Sequence, residues 1–240
     1  MTRNAVAAWK AAGCVLHDDL GARVMAVRLL VKDGSKNDVG IFLVSAYAPI
    51  GSADQSHWDD FMDKLDTCIA RRLKGDIVVI GADTNSSMGV ANGRNTSNLM
   101  NSLGNCGLPH VNNAGLRFNT YLETNSMVAL TTCFQKRSYG TWIHPRSKLP
   151  HQIDHFITSK SEFCRFTDAG VTEPVIDSDH RAVMCKLRIS ARLKKRSTPR
   201  QKISKLDSSA LSRREVQLSF CNEVLNSYMA DSERSTPYTN

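Results

Sequence analysis

No Cys-x-x-Cys pair occurs in this 240-residue chain, although it holds seven cysteines. Cys14, Cys68, Cys106, Cys133, Cys164, Cys185 and Cys221 stand singly, which leaves no paired ligands for a zinc knuckle and no disulfide framework. Reduced, mostly core thiols in a nuclear or cytoplasmic protein are the expectation. No apolar run is long enough to span a bilayer, and Met1 to Lys10 lacks the apolar centre of a secretion signal. Neither a membrane function nor secretion is expected.

What is present suits one sizeable core plus a tail: 41% of residues are hydrophobic and 22% charged. The net charge of +8 is concentrated, because Arg192, Lys194, Lys195, Arg196, Arg200, Lys202 and Lys205 follow one another with no acid between them. The rest of the chain is close to charge balance. Such a run reads first as a solvated linker and second as a tether for a polyanion such as nucleic acid, with Lys194, Lys195 and Arg196 as candidate contacts. Beyond it, Leu211, Leu218, Cys221, Leu225 and Tyr228 form an apolar stripe that predicts an amphipathic helix over 209–229, followed by a disordered end at 230–240.

The stretch on which the chain turns is Asp76-Ile-Val-Val-Ile-Gly-Ala-Asp-Thr-Asn85. Four consecutive β-branched residues, Ile77 to Ile80, predict a strand covered on both faces. Gly81 is expected to stop it, delivering Asp83 and Asn85 to its carboxyl end, where open α/β folds place their chemistry. Both residues are equally at home in an ordinary turn. A second signal, Ser178-Asp179-His180 at the entrance of another apolar run, shifts the balance, since a carboxylate beside an imidazole is a candidate acid/base or metal unit.

Upstream, Val24–Val31 and Ile41–Tyr47 predict a hairpin, with Tyr47 brought to the rim by the turn at Ala48-Pro49. Trp58, Phe61, Met62, Leu65, Ile69 and Leu73 recur at helical spacing. That pattern predicts a crossover helix with a Ser56/Asp59 capping box and Gly75 as its stop. Strand, helix and strand together imply a layered α/β fold. The Ser-, Asn- and Gly-rich segment after Asn85 reads as a long loop bordering a cleft, where Arg94 and Asn95 could meet phosphate. A short helix over 98–103 and short strands at 108–111, 119–122, 131–134 and 138–143 complete the middle of the chain.

In His151-Gln-Ile-Asp-His-Phe-Ile157 a strand pattern carries Asp154, a carboxylate that is costly to bury unless paired. His180 is the candidate partner, as in dyads where a carboxylate fixes the imidazole tautomer. The alternative is that Asp154 caps a strand and His155 is the relevant histidine.

Taken in order, Ser45-Ala-Tyr47-Ala-Pro49, Gly81-Ala-Asp83-Thr-Asn85, Gln152-Ile-Asp154-His-Phe and Ser178-Asp179-His180 resemble successive motifs of the endonuclease/exonuclease/phosphatase superfamily. The stretch from Ala8 to Met88 is most similar to the endonuclease part of non-LTR retrotransposon polyproteins and their craniofacial development protein 2-like relatives. The resemblance implies a four-layered α/β sandwich, two packed mixed sheets flanked by helices, over residues 1–190, with 191–208 as basic linker. It implies hydrolysis of DNA phosphodiesters with Mg²⁺ or Mn²⁺. In it Tyr47 would touch the scissile phosphate and Asp83, supported by Asn85, would position or deprotonate water. Asp154 and His180 would form the phosphate-binding pair, and Asp179 would help hold the metal. A reverse transcriptase domain would be the partner in a parent polyprotein.

The pattern departs from the family in one respect. Members carry an Asn strand and a Glu strand ahead of this hairpin, whereas no glutamate precedes Tyr47 here. The expectation is an N-terminally truncated member with an incomplete metal site and impaired activity. A catalytically dead nucleic-acid-binding remnant, or a phosphoesterase acting on small phosphoesters, are the other readings.

Overall fold

The β-branched runs become the middle of one sheet in the computed structural model, which describes residues 1–32, 37–91, 102–172 and 178–189. In chain order the elements are α1 (Arg3–Ala11), β1 (Leu16–His17), β2 (Val24–Lys32), β3 (Asp38–Tyr47), α2 (Gln55–Ala70), β4 (Ile77–Asp83), α3 (Asn113–Thr124) and β5 (Met127–Ala129). There follow β6 (Trp142–Ile143), β7 (Pro150–His151), β8 (Asp154–Ser159), β9 (Phe166–Val171) and β10 (Val183–Leu187). The main sheet has six strands in the order β1-β2-β3-β4-β8-β5, and two further pairs, β9 with β10 and β6 with β7, stand apart from it. β3 and β4 are parallel, joined by the α2 crossover, and the other pairs are antiparallel.

Side-chain alternation along the central strands explains how both faces are covered. Phe42, Val44, Val78 and Ile80 point to one face and pack with Trp58, Phe61 and Leu65 of α2 and Phe118 and Leu122 of α3. Ile41, Ile77 and Val79 point to the other and pack with Phe166 and Ala169 of β9, with Cys185 and Leu187 of β10 against them. A strand enclosed in this way needs no polar alternation, which is why Ile77–Ile80 reads as unbroken apolar sequence. The architecture is thus mixed α/β. Helices, the six-stranded mixed sheet and a second, antiparallel sheet are the layers seen among the described residues.

Several local expectations need correction. Gly81 does not end β4; it pairs with Ser45 on one side and Phe156 on the other, and the strand runs on to Asp83 because both neighbours continue. The phenyl ring of Phe156 lies 3.5 Å from where a Cβ on Gly81 would stand. α2 begins after Asp54 rather than with a Ser56/Asp59 box, and Asp59 accepts instead from Gln55 Nε2 at 2.6 Å. It ends at Ala70, so Leu73 is exposed, and Gly75 (φ +92°) makes the left-handed turn into β4.

Asn119–Leu122 is helix. Ala114, Phe118, Tyr121 and Leu122 form its buried stripe, and the Asn112 side chain caps it by accepting from Gly115 N at 2.8 Å. Thr131–Phe134 is not a strand: Thr132 Oγ1 donates to Ala129 O at 2.7 Å and Cys133 N to Leu130 O at 2.9 Å, closing a 3₁₀ turn. At 108–111 only a single bridge, Val111 to Met88, remains of the expected strand. The 138–143 strand shortens to β6. The segment after Asn85 is not open at its start, since Ser86, Ser87 and Met88 are buried against α3. The expected helix over 98–103 falls largely, and the linker, distal helix and tail fall wholly, outside the described residues. No helix among those described is long and apolar enough to cross a membrane.

Candidate active site

Strand register, not proximity in sequence, gathers the predicted residues. Tyr47 at the end of β3 is the cross-strand partner of Asp83 at the end of β4, and Asp83 is the partner of Asp154 at the start of β8. All three share the face that carries Ile41, Ile77 and Val79, and none of them belongs to the apolar cluster that the β9–β10 sheet covers. The row therefore lies at the carboxyl ends of the two parallel strands.

His180 joins this row from the loop before β10. Its Nδ1 is 3.1 Å from Asp154 Oδ2, and because a carboxylate only accepts, Nδ1 carries the proton and Nε2 remains for a ligand. One ligand atom each from Asp83, Asp154 and His180 lie within 4.8 Å of one another. His155, the alternative, is excluded: it points the other way, fully buried between Thr131 Oγ1 (2.7 Å from Nδ1) and Gln152 O (3.2 Å from Nε2). Burial pushes its imidazole down to about 4, so it is a neutral core residue.

Asn85 sits directly behind the row in a left-handed conformation (φ +44°). Its backbone N–H donates to Asp83 Oδ1 at 2.9 Å and its Nδ2 donates to Ala48 O at 2.8 Å. It fixes Asp83 and ties the β3 and β4 ends together. Asp179 lies beside His180 but outside the Asp83–Asp154–His180 group. Its Oδ2 accepts from the Trp142 indole at 2.9 Å, and that bond holds its carboxyl below the usual range. Arg94, Asn95, Lys194, Lys195 and Arg196 lie outside the described residues.

Thr141 escapes a reading of the sequence, although it organises the dyad. Fully buried, its Oγ1 accepts from Ile153 N and Asp154 N, each at 3.0 Å, while its carbonyl accepts from Arg181 N at 2.6 Å. One residue thus holds the segment before Asp154 and the segment after His180. Its only sequence signal is the Gly-Thr-Trp setting of a short strand, too common to single out.

The electrostatics of the two carboxylates match. Burial raises Asp83 above the ordinary aspartate value, opposed by the Asn85 N–H and by the field of His180. Burial likewise raises Asp154, with the Asp83 charge pushing the same way and the Thr141 and His180 hydrogen bonds pushing back. Asp83 has no bonded cation, only one N–H donor, among the described residues. Two under-compensated carboxylates converging on a gap with an imidazole fit a hard divalent cation, which prefers oxygen ligands. An α/β sandwich with such a constellation at its strand ends defines a candidate site for metal-assisted hydrolysis.

No protein-family profile and no curated relative matches the chain. Solved structures with a similar course include the endonuclease domain of TRAS1, a telomere-specific non-LTR retrotransposon, at 15% identity and TM-score 0.49 over 72% of this chain and 68% of that one. Another is a 3′-5′ exonuclease (NExo) from Neisseria meningitidis, at 17% identity and TM-score 0.49 over 72% and 70%. A third is the catalytic domain of Xenopus laevis APE2, at 14% identity and TM-score 0.45 over 71% and 58%. The functional reading therefore rests on this chain's own side chains.

Proposed function

We propose that this chain hydrolyses phosphodiester bonds in DNA with the help of a divalent cation, as a nuclease of the endonuclease/exonuclease/phosphatase type. The observation that carries the proposal is the meeting of Asp83, Asp154 and His180 within 4.8 Å from three distant parts of the sequence. Four motifs in the family's order support the finer assignment to a non-LTR retrotransposon endonuclease with a reverse transcriptase domain as its natural partner. An intracellular setting, nuclear or cytoplasmic, follows from that assignment.

Asp83 and Asp154 would hold Mg²⁺ or Mn²⁺, which when bound supplies charge neutralisation at the nonbridging oxygens and a more acidic water. Asp83, steadied by Asn85, orients the attacking water and accepts its proton. Asp154 fixes His180 in one tautomer, Nδ1–H toward the carboxylate, and so aims Nε2 at the phosphate oxygen on which charge builds. The Tyr47 phenol, half exposed at the rim, donates to the same phosphate.

Turnover is expected to be low. Only two carboxylates are placed to hold the cation, one of them is already engaged by the His180 imidazole, and no glutamate joins them among the described residues. The same observation favours a second reading, a nucleic-acid binder without hydrolysis. Nicking of supercoiled plasmid with Mg²⁺ or Mn²⁺ tests the first: activity lost in EDTA and in Asp83→Ala and His180→Ala supports it, and nicking that survives both substitutions overturns it. Binding that falls steeply with salt in EDTA, without nicking, is the signature of the second.

A further inference from the structure

We infer that Arg23 holds a second phosphate, next along the strand from the one that faces Asp83 and His180, and so makes the site selective for polynucleotides over isolated phosphoesters. This rests on the phosphodiester reading of the site. Arg23 extends the row by one strand: its carbonyl accepts from Tyr47 N at 2.8 Å, immediately before β2 begins at Val24. The order across the sheet edge is therefore Arg23, Tyr47, Asp83, Asp154. With neighbouring strands about 4.8 Å apart, Arg23 stands about 10 Å from Asp83 at the backbone, a span its long side chain shortens.

The guanidinium is placed as an anion receptor is placed. Arg28, Arg71 and Arg165 each meet a carboxylate, whereas Arg23, like Arg72, Arg117 and Arg181, meets none among the described residues; of these only Arg23 stands in line with the Tyr47–Asp83–Asp154 row. It lies 5.3 Å over the Tyr47 ring and makes only long bonds, 3.3 and 3.4 Å, to the carbonyls of Tyr47 and Ala48. Stacking and two weak bonds hold the fork in one orientation while leaving donors unspent. It forms the wall between two hollows, one of about 330 Å³ on the Tyr47 and Ser45 side and one of about 250 Å³ on the Pro49 and Ile50 side. A chain of nucleotides crossing Tyr47 from the Asp83–His180 centre reaches this wall next. A lone phosphoester does not reach it.

The test compares the full chain with Arg23→Gln and Arg23→Lys, each first shown to keep the wild-type Tm. Affinity for a fluorescent oligonucleotide is measured in EDTA against salt, and hydrolysis of the oligonucleotide and of bis(p-nitrophenyl) phosphate in Mn²⁺. Arg23→Gln is expected to weaken binding about tenfold and to lower the salt slope by about one. Its KM for the oligonucleotide should rise by far more than its rate on bis(p-nitrophenyl) phosphate changes, and Arg23→Lys should restore the slope. Unchanged affinity in Arg23→Gln overturns the inference, as does an equal loss on both substrates. A wild type that binds as expected but hydrolyses neither substrate overturns the hydrolytic reading and leaves the phosphate contact standing. A wild type that binds no oligonucleotide overturns both.

Discussion

A carboxylate stands at each end of β4, Asp76 just before it and Asp83 as its last residue, and the two are treated in opposite ways. At its start, Asp76 is almost wholly buried and clamped by Arg28 through two bonds of 2.8 Å, with Leu73 N adding a third at 3.1 Å. Gly40 on the adjacent strand makes room for the pair, since a Cβ there would fall 1.7 Å from Asp76 Oδ1. At its end, Asp83 has a single backbone donor and a second carboxylate across the strand. One end is a closed structural clasp. The other is left open, as the proposed cation site requires.

The largest effect should come from opening the clasp. Arg28→Ala leaves Asp76 buried and unpaired, and should lower unfolding free energy by about 3 to 5 kcal/mol in urea titration. Arg28→Leu with Asp76→Leu should recover most of it. A loss below about 1 kcal/mol for Arg28→Ala would show that the start of β4 is as tolerant as its end.

Next in size is a pH effect that separates scaffold from site. His155 sits one residue from Asp154 but faces the core, and its value falls from the ordinary 6.5 to about 4. Because the unfolded chain takes up a proton at 6.5 and the folded chain does not until about 4, this group's contribution is fully present above pH 6.5. It is lost as pH falls through that window, by roughly 3 kcal/mol. Asp83 and Asp154, raised by burial, act with the opposite sign: their penalty is absent in acid and grows as pH rises past the unfolded aspartate value. The difference between wild type and His155→Gln, measured in EDTA from pH 7 to 4, isolates the histidine. A difference that does not change with pH would mean that His155 takes up its proton as readily in the fold as in the unfolded chain.

Much of this architecture can be read from the residues, and the failures are local. The β-branched run of β4 and the apolar stripe of α2 have only one good burial solution each, so they are legible without neighbours. Asn119–Leu122 misleads because Thr and Tyr favour strands singly, while the helical spacing from Ala114 to Leu122 extends beyond a short window. Gly81 misleads because its role is to lie under Phe156, a contact made across 75 residues. Tyr47, Asp83, Asp154 and His180 are legible as types and as an ordered set. That Asp179 faces Trp142, that Asn85 serves the backbone, and that Thr141 joins Asp154 to the His180 loop depend on hydrogen bonds no spacing encodes.

Thr141→Val tests whether the open end has its own hidden clasp. The change keeps volume but leaves Ile153 N and Asp154 N without their acceptor, so a loss of about 2 kcal/mol is expected, with Thr141→Ser close to wild type. If Thr141 positions the dyad, nicking should fall in the valine variant even below its unfolding temperature and return with serine. Nicking that simply follows the folded fraction would make Thr141 scaffold alone.

The smallest effect is the one that decides the comparison, because its sign is reversed. Asp83→Asn removes a buried charge that faces another carboxylate, while the amide can still accept from Asn85 N. In EDTA it should therefore stabilise the fold, by about 1 kcal/mol, where any substitution at the Arg28–Asp76 clasp destabilises it. Mg²⁺ or Mn²⁺ should raise the Tm of the wild type and leave Asp83→Asn unmoved, since ligand binding stabilises only the state that binds. Hydrolysis should be lost in the same variant. An Asp83→Asn protein that is less stable than wild type, and still responds to the cation, would mean that Asp83 is held by the scaffold as Asp76 is, and that the two ends of β4 differ only in exposure.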